Sequence, residues 1–289
     1  MHRCSLKAVL TGIALALLLA GSGTASGQPP STPEQVVRAH AEAWSNGDLQ
    51  GLLALFADDA RSHDRSQDPH RLVGGLSDTI GSKRQLEAYY RTVSPPSREH
   101  IIETATVGDL VIAAGESAQP PDFGTRMRFL TGYRVRDGRI HDLWHIAWTP
   151  AEAPAEPGPI EVVRQLIVAN NARDADRFIA LFTPDAKFFR YSDDPRTLAD
   201  RPSKTLVDAA SREAVFRKYF ADAPVHVEAV KLFSVGDLVV EQSHVTGFAD
   251  APGKTVNEIS IYRVRDGRIV ADWLLGEETL QAPAGRATP

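Results

Sequence analysis

One octapeptide occurs twice in this chain, letter for letter: Tyr133-Arg-Val-Arg-Asp-Gly-Arg-Ile140 returns as Tyr262-Arg-Val-Arg-Asp-Gly-Arg-Ile269. Around it, Val107-Gly-Asp-Leu-Val111 returns as Val235-Gly-Asp-Leu-Val239, and Ala54-Leu-Phe-Ala-Asp-Asp-Ala60 returns as Ala180-Leu-Phe-Thr-Pro-Asp-Ala186, in the same order and at nearly constant offset. A unit of about 120 residues written twice implies two tandem domains, because solenoid repeats are far shorter. A unit of that size has enough chain to bury its own core without cross-links. The duplication is also an internal control: what both copies keep reads as scaffold, and what only one keeps is a candidate for function.

The segments outside the repeats read differently. Arg3 and Lys7 flank the start of an apolar run, Ala8 to Ala20, followed by small residues up to Gly27. This pattern predicts a signal peptide over 1–27 and a secreted or periplasmic protein. The run is shorter than the roughly 20 apolar residues a membrane span needs, so no membrane contact is expected after cleavage. Cys4, the only cysteine, falls inside that leader, leaving a mature chain without disulfides. Losing Arg3 and Lys7 with no acidic residue takes the formal charge from −5 to −7, which argues against nucleic acid as a partner. Residues 150–159, rich in proline and without apolar periodicity, read as a semi-stiff linker, and 282–289 as a disordered tail. The two domains are thus expected over 31–149 and 160–281.

Within copy one, Thr32 or Ser31 is positioned to cap a helix that starts at Pro33 and carries an apolar stripe of Val37, Ala41 and Trp44. Gly47 ends it, a second helix carries Leu49, Leu52, Leu53 and Phe56, and a third carries Leu86, Tyr89, Tyr90 and Val93. The period then switches to two. Strands are predicted over 100–107 and 110–116, and a hairpin over 126–136 and 139–148 with Asp137-Gly138 as a type I′ turn. Copy two repeats the plan. Helices followed by strands make an α+β domain: a curved antiparallel sheet with three helices on its concave face.

Asn46-Gly-Asp-Leu-Gln-Gly-Leu-Leu-Ala-Leu-Phe-Ala-Asp-Asp-Ala60 resembles the opening of ketosteroid isomerases and SnoaL-like proteins, and the closing Tyr-Arg-Val-Arg-Asp-Gly-Arg-Ile with its Trp-containing strand is similar to the same nuclear transport factor 2-like superfamily. The resemblance covers nearly all of both repeats. It implies cone-shaped domains, each with an apolar pocket on the concave side. It also implies that single copies commonly dimerise, so the tethered repeats are expected to pair as an intramolecular pseudo-dimer. Aligned without gaps, the base position of ketosteroid isomerases falls on Asp64, the oxyanion Tyr position on His40, and the acidic donor position, counted back from Tyr133, on Thr131. The missing acidic donor sets this chain apart from those isomerases.

The residues themselves point partly the same way. Alternation along 60–64 puts Asp64 in phase with Ala60 and Ser62 and turns His63 to the other face. His40 lies within the apolar stripe of the first helix. A carboxylate and an imidazole in a dry pocket can exchange a proton with a ligand. The competing account makes His40 a satisfied core histidine and Asp64 a turn or salt-bridge residue. Copy two has Leu166 at the position of His40 and Arg190 at that of Asp64. Its inward candidate is Glu258, read either as the partner of Arg190 or His244 in a structural salt bridge, or as part of a charged pocket mouth with Arg190 that binds a carboxylate ligand.

His141 and His145 sit four apart on a strand, too far apart to share one ion, so no metal is expected; His145 is expected at the pocket edge. Gly-x-Ser-x-Gly, phosphate-loop and Cys-based metal motifs are absent, and no cofactor is expected. Segments 65–81 and 192–210 are long enough for lids over the pocket mouths, or are plain surface loops. Three functions remain open: a cofactor-independent isomerase, dehydratase or cyclase working on a small apolar carbonyl compound in copy one; a non-catalytic binding protein; and a structural pseudo-dimer.

Overall fold

The structure is a computed structural model that describes residues 32–68, 70–76, 80–93, 97–118, 126–151, 158–192, 194–222, 224–248 and 252–280. The leader, most of the linker and the tail predicted from sequence lie outside these residues. Copy one runs α1 (Pro33–Ser45), α2 (Leu49–Ala54), β1 (Phe56–Arg65), β2 (Val73–Leu76), α3 (Lys83–Thr92), β3 (Arg98–Val107), β4 (Leu110–Ala118), β5 (Arg126–Arg136) and β6 (Arg139–Pro150). Copy two runs α4 (Pro159–Asn171), α5 (Ala175–Ala180), β7 (Phe182–Arg190), β8 (Arg201–Pro202), α6 (Ala209–Asp222), β9 (His226–Val235), β10 (Leu238–Thr246), β11 (Thr255–Arg265) and β12 (Arg268–Leu280).

Local chemistry explains the element ends. At α1 the Thr32 hydroxyl accepts from the Gln35 backbone N–H at 3.3 Å while the Gln35 side chain accepts from the Thr32 N–H at 3.1 Å, a reciprocal capping box. Asp48 and Asp174 cap the two short second helices in the same way, accepting from Gly51 and Arg177. The β5–β6 and β11–β12 hairpins turn on Asp137-Gly138 and Asp266-Gly267, all four with φ between 49° and 70°, as a type I′ turn requires.

Each copy folds into a six-stranded sheet, ordered β2-β1-β6-β5-β4-β3 and β8-β7-β12-β11-β10-β9. The expected antiparallel sheet is mixed at one seam, because β1 pairs with β6, and β7 with β12, in parallel. The helices of each copy cover one face and bury separate cores, around Val37, Leu52, Phe56 and Tyr133 in copy one and around Val163, Phe182, Val239 and Tyr262 in copy two.

The uncovered faces of the sheets pack against each other. A third apolar cluster draws on both, including Ile112, Leu130, Trp144 and Ile146 from copy one and Val240, Ile259, Ile261 and Trp273 from copy two. Full burial of such a side chain stabilises by about 1.5–3 kcal/mol. Polar contacts register the seam: Lys231 Nζ donates to the Thr104 carbonyl at 2.6 Å, and the Gly108 N–H donates to Glu278 at 3.2 Å.

Candidate functional site

Helices on the concave face leave one cavity in each copy. In copy one it measures about 260 Å³, and α1, α3 and strands β1, β3, β5 and β6 all contribute to its wall. The helical period that buries Val36, Val37 and Ala41 also points His40 inward, at 6% exposure. Its ring meets Phe56 at 5.5 Å and Tyr133 at 5.6 Å, both edge-on, and neither ring nitrogen has a hydrogen-bond partner. Burial, followed by the nearby His145, pushes its pKa down to about 3, so the imidazole is neutral and offers one N–H donor and one bare nitrogen acceptor.

Other polar groups share this wall, among them Glu99, Thr131, His145 and Tyr133. Glu99, near the start of β3, has its carboxyl pushed up to about 7 by burial, against a hydrogen bond from Ser97 that lowers it. Thr131 and His145 lie opposite each other on β5 and β6, both lining the cavity. His145 is held below its ordinary value by burial, while the charge of Asp64 draws it back up. The Tyr133 phenol, also on the wall, is pushed well above its ordinary value by burial and keeps its proton. A bulge in the β5–β6 pairing beside Thr131 re-phases the following residues, so that His145 and Trp148 both face the cavity while Trp144 and Ile146 join the seam cluster.

Asp64 is the point of departure from the sequence reading. Ser62 lines the cavity and His63 points to the opposite side, as alternation requires, but Asp64 is exposed and is not part of the wall. It reaches the cavity only as a charge acting on His145.

Copy two has a cavity of about 170 Å³ with different chemistry. Three carboxyls line it from neighbouring strands: Glu241 on β10, Glu258 on β11 and Asp272 on β12. Burial first, then mutual repulsion, pushes Glu258 to about 7 and Asp272 to about 8; burial alone lifts Glu241 to about 7, against hydrogen bonds from Tyr262 and Ser243. Asp272 Oδ1 is buried without a partner. Arg190 is exposed, and among the described residues no ion pair joins it or His244 to Glu258; it acts as a nearby charge that lowers the pKa of Glu258 and Asp272. In place of the salt bridge expected for Glu258 the structure has a buried carboxyl whose pKa is raised to about 7, chiefly by desolvation. Among the described residues no group of three His, Cys, Asp or Glu is arranged to hold a metal ion, and no helix is long and apolar enough to cross a membrane.

The sequence profile of the SnoaL-like domain matches residues 37–143 and again 163–271. The chain belongs to the SnoaL-like domain family, in two tandem copies. Comparison with curated protein sequences finds no match. Solved structures similar to one SnoaL-like copy include a cystatin-fold protein of Novosphingobium aromaticivorans, at 20% identity over 41% of this chain and 97% of that one, with a TM-score of 0.33. A Streptomyces antibioticus protein described as a candidate polyketide cyclase matches at 23% identity over 42% and 91%, TM-score 0.32. An epoxide hydrolase of M. tuberculosis matches at 16% identity over 40% and 81%, TM-score 0.31.

The two SnoaL-like copies differ most where their cavities are polar. Through the shared Ala-Leu-Phe, Gly-Asp-Leu and Tyr-Arg-Val motifs, His40, Glu99 and His145 of copy one align with Leu166, Val227 and Leu274, whereas Glu241 and Asp272 of copy two align with Ala113 and Leu143. Glu99 is not evident from the sequence pattern because β3 starts at Arg98, two residues before the alternation that predicts a strand from His100. Glu241 carried a usable signal, a lone carboxylate after the apolar Leu238-Val-Val240 where copy one stays apolar.

Proposed function

We propose that this is an exported small-molecule protein whose first copy performs cofactor-independent proton transfer on an apolar carbonyl compound, as an isomerase, dehydratase or cyclase. The observation that supports this most is the pairing in one cavity of a neutral, unpartnered His40 with a carboxyl, Glu99, that stays protonated up to about pH 7. The Glu99 O–H and the His40 N–H both donate to the carbonyl oxygen, and His145 takes the α-proton. Asp64, placed outside the wall, raises the basicity of His145 by its charge and so acts as a positioning and tuning residue. Moving the proton from carbon to His145 while Glu99 gives its own to oxygen leaves a neutral enol beside an imidazolium and a carboxylate; the enol collapses to product when His145 returns its proton to carbon elsewhere and the oxygen returns the other to Glu99. General acid–base steps of this kind contribute about 100- to 10,000-fold. The seam between the sheets makes copy two the intramolecular partner of copy one, in the manner of a dimer.

The test is α-deuteration of small cyclic ketones in D2O, followed by NMR. Wild-type protein is expected to accelerate exchange of at least one ketone in a panel, with Glu99→Gln and His40→Leu losing most of that rate. Ketone binding without accelerated exchange would support a non-catalytic carrier instead.

A further inference from the structure

The two segments expected as lids over the concave pockets do something else. Their described residues, His70 to Gly75 in copy one and Arg196 to Asp200 in copy two, line a cavity of about 370 Å³ between the copies, larger than either concave cavity. It opens off the seam cluster, with Leu72, Trp144 and Leu198 belonging to both.

The polar part of its wall is strongly biased. Arg61, His63, His70, Arg71 and Arg196 line it, against one acidic residue, Asp200; behind the wall Asp194 pairs with Arg196 and Asp142 with Arg61. Two of these groups are held rigidly. Asp142, 2% exposed, accepts from Arg61 Nη2 on Oδ2 at 3.1 Å, with Oδ1 2.9 Å from the same nitrogen, and contacts His63 Nε2 at 3.0 Å through Oδ1. His63 is itself 6% exposed and stacks on Trp144 at 5.4 Å with the rings 22° apart. With Nε2 engaged by Asp142, Nδ1 is the nitrogen left for a ligand, and it donates to an anion when the ring is doubly protonated. Arg61 Nε is buried and lacks a hydrogen-bond partner.

Copy two shows that the packing does not require these charges. Arg61 faces Asp142 and His63 faces Trp144 across the β1–β6 pairing; Lys187 faces Ala271 and Phe189 faces Trp273 across the β7–β12 pairing. Phe189 stacks on Trp273 at 5.7 Å and 10°, the same arrangement in apolar form. An Arg, a His and an Asp taken out of water carry a desolvation cost that the aromatic version avoids, so a fold that needed only packing has no use for them.

We infer that the cavity between the copies binds a small organic anion, a carboxylate on a flat apolar body: the carboxylate meets Arg61, His63 and Arg71, and the body lies against Trp144 and Phe189. Fixed guanidinium and imidazolium donors suit a carboxylate, and a mostly apolar wall of this volume suits a single-ring compound. This site is separate from the proton-transfer site of copy one.

Calorimetric titration of the full mature chain with benzoate tests it, with benzyl alcohol and benzylamine as neutral and cationic probes of the same shape. Benzoate is expected to bind at least 10-fold more tightly than benzyl alcohol, and benzylamine not at all. His63→Phe, which installs the residue of copy two and keeps the stack on Trp144, is expected to weaken benzoate about 10-fold. The exposed Arg71→Gln, which disturbs no packing, is expected to weaken it roughly 3- to 10-fold, and His40→Leu to leave it unchanged. Benzoate binding no more tightly than benzyl alcohol, indifference to Arg71→Gln, or loss on His40→Leu in place of Arg71→Gln would each overturn the proposal. Failure of ketone exchange in copy one would leave it standing.

Discussion

The side-chain amide of Gln242 pairs with the backbone of Thr106 as a strand would: it accepts from the Thr106 N–H at 3.1 Å and donates to the Thr106 carbonyl at 2.9 Å. Asn257 supports it, donating to the same carbonyl at 3.2 Å and accepting from Gln242 at 3.0 Å. One amide from copy two thus closes the hydrogen-bonding of a backbone unit in copy one, at a position where copy one itself has Ala114. Gln242→Leu leaves the Thr106 N–H without its seam partner and the Thr106 carbonyl held by Asn257 alone. A loss of about 1–3 kcal/mol in urea unfolding is expected, with helix content unchanged in the far-ultraviolet spectrum.

His40→Leu copies what the second repeat has at Leu166. Removing an imidazole with two unpartnered nitrogens from an apolar wall relieves a burial cost, so the variant is expected to be as stable as the parent or up to about 1 kcal/mol more so. A thermal melt at equal or higher midpoint, together with lost ketone exchange, is the expected pair of results; a large drop in midpoint would show that His40 supports the fold.

The exchange rate should follow the protonation of Glu99. Its carboxyl stays protonated to about pH 7, so the rate is expected to fall as pH rises through that value, and Glu99→Gln to remove that limb of the profile. Asp64→Asn lets the His145 pKa drop further, which shifts the acid limb to lower pH and reduces the rate far less than Glu99→Gln. An Asp64→Asn effect equal to that of Glu99→Gln would return the base to Asp64.

Stability of copy two should depend on pH in the direction opposite to most carboxylate-bearing proteins. Glu241, Glu258 and Asp272 titrate at about 7, 7 and 8 in the folded chain, against ordinary values of 4.5, 4.5 and 3.8. The folded state therefore keeps protons that the unfolded state has released. The stabilisation they bring is fully present below about pH 4 and is lost as pH rises through about 8. A lower melting midpoint at pH 8.5 than at pH 5.5 is expected, and Asp272→Asn should flatten the difference.

If the apolar run after Arg3 is a leader, N-terminal sequencing of material recovered outside the cytoplasm should begin close to Gln28. A chain that still starts at Met1 in a membrane fraction would mean the run is an anchor.

Much of the fold was legible because it is encoded locally. The N-cap at Thr32, the Asp-Gly turns, and the change of period from helix to strand each depend on residues within a few positions of one another, and the elements they mark are present, although Phe56 opens β1 where its spacing puts it on the second helix. The duplication then separated scaffold from divergence, and it marked His40 through its contrast with Leu166. Which polar groups share a cavity was decided only by tertiary structure. Alternation put Asp64 in phase with Ser62, but phase along a strand does not say where the cavity wall ends, and Asp64 falls beyond it. Glu99 joins His40 because β3 runs alongside α1, and Glu241 meets Asp272 across an intervening strand. The loops that sequence suggested as lids line a cavity between the sheets, because that cavity exists only once two separately folded faces have packed together.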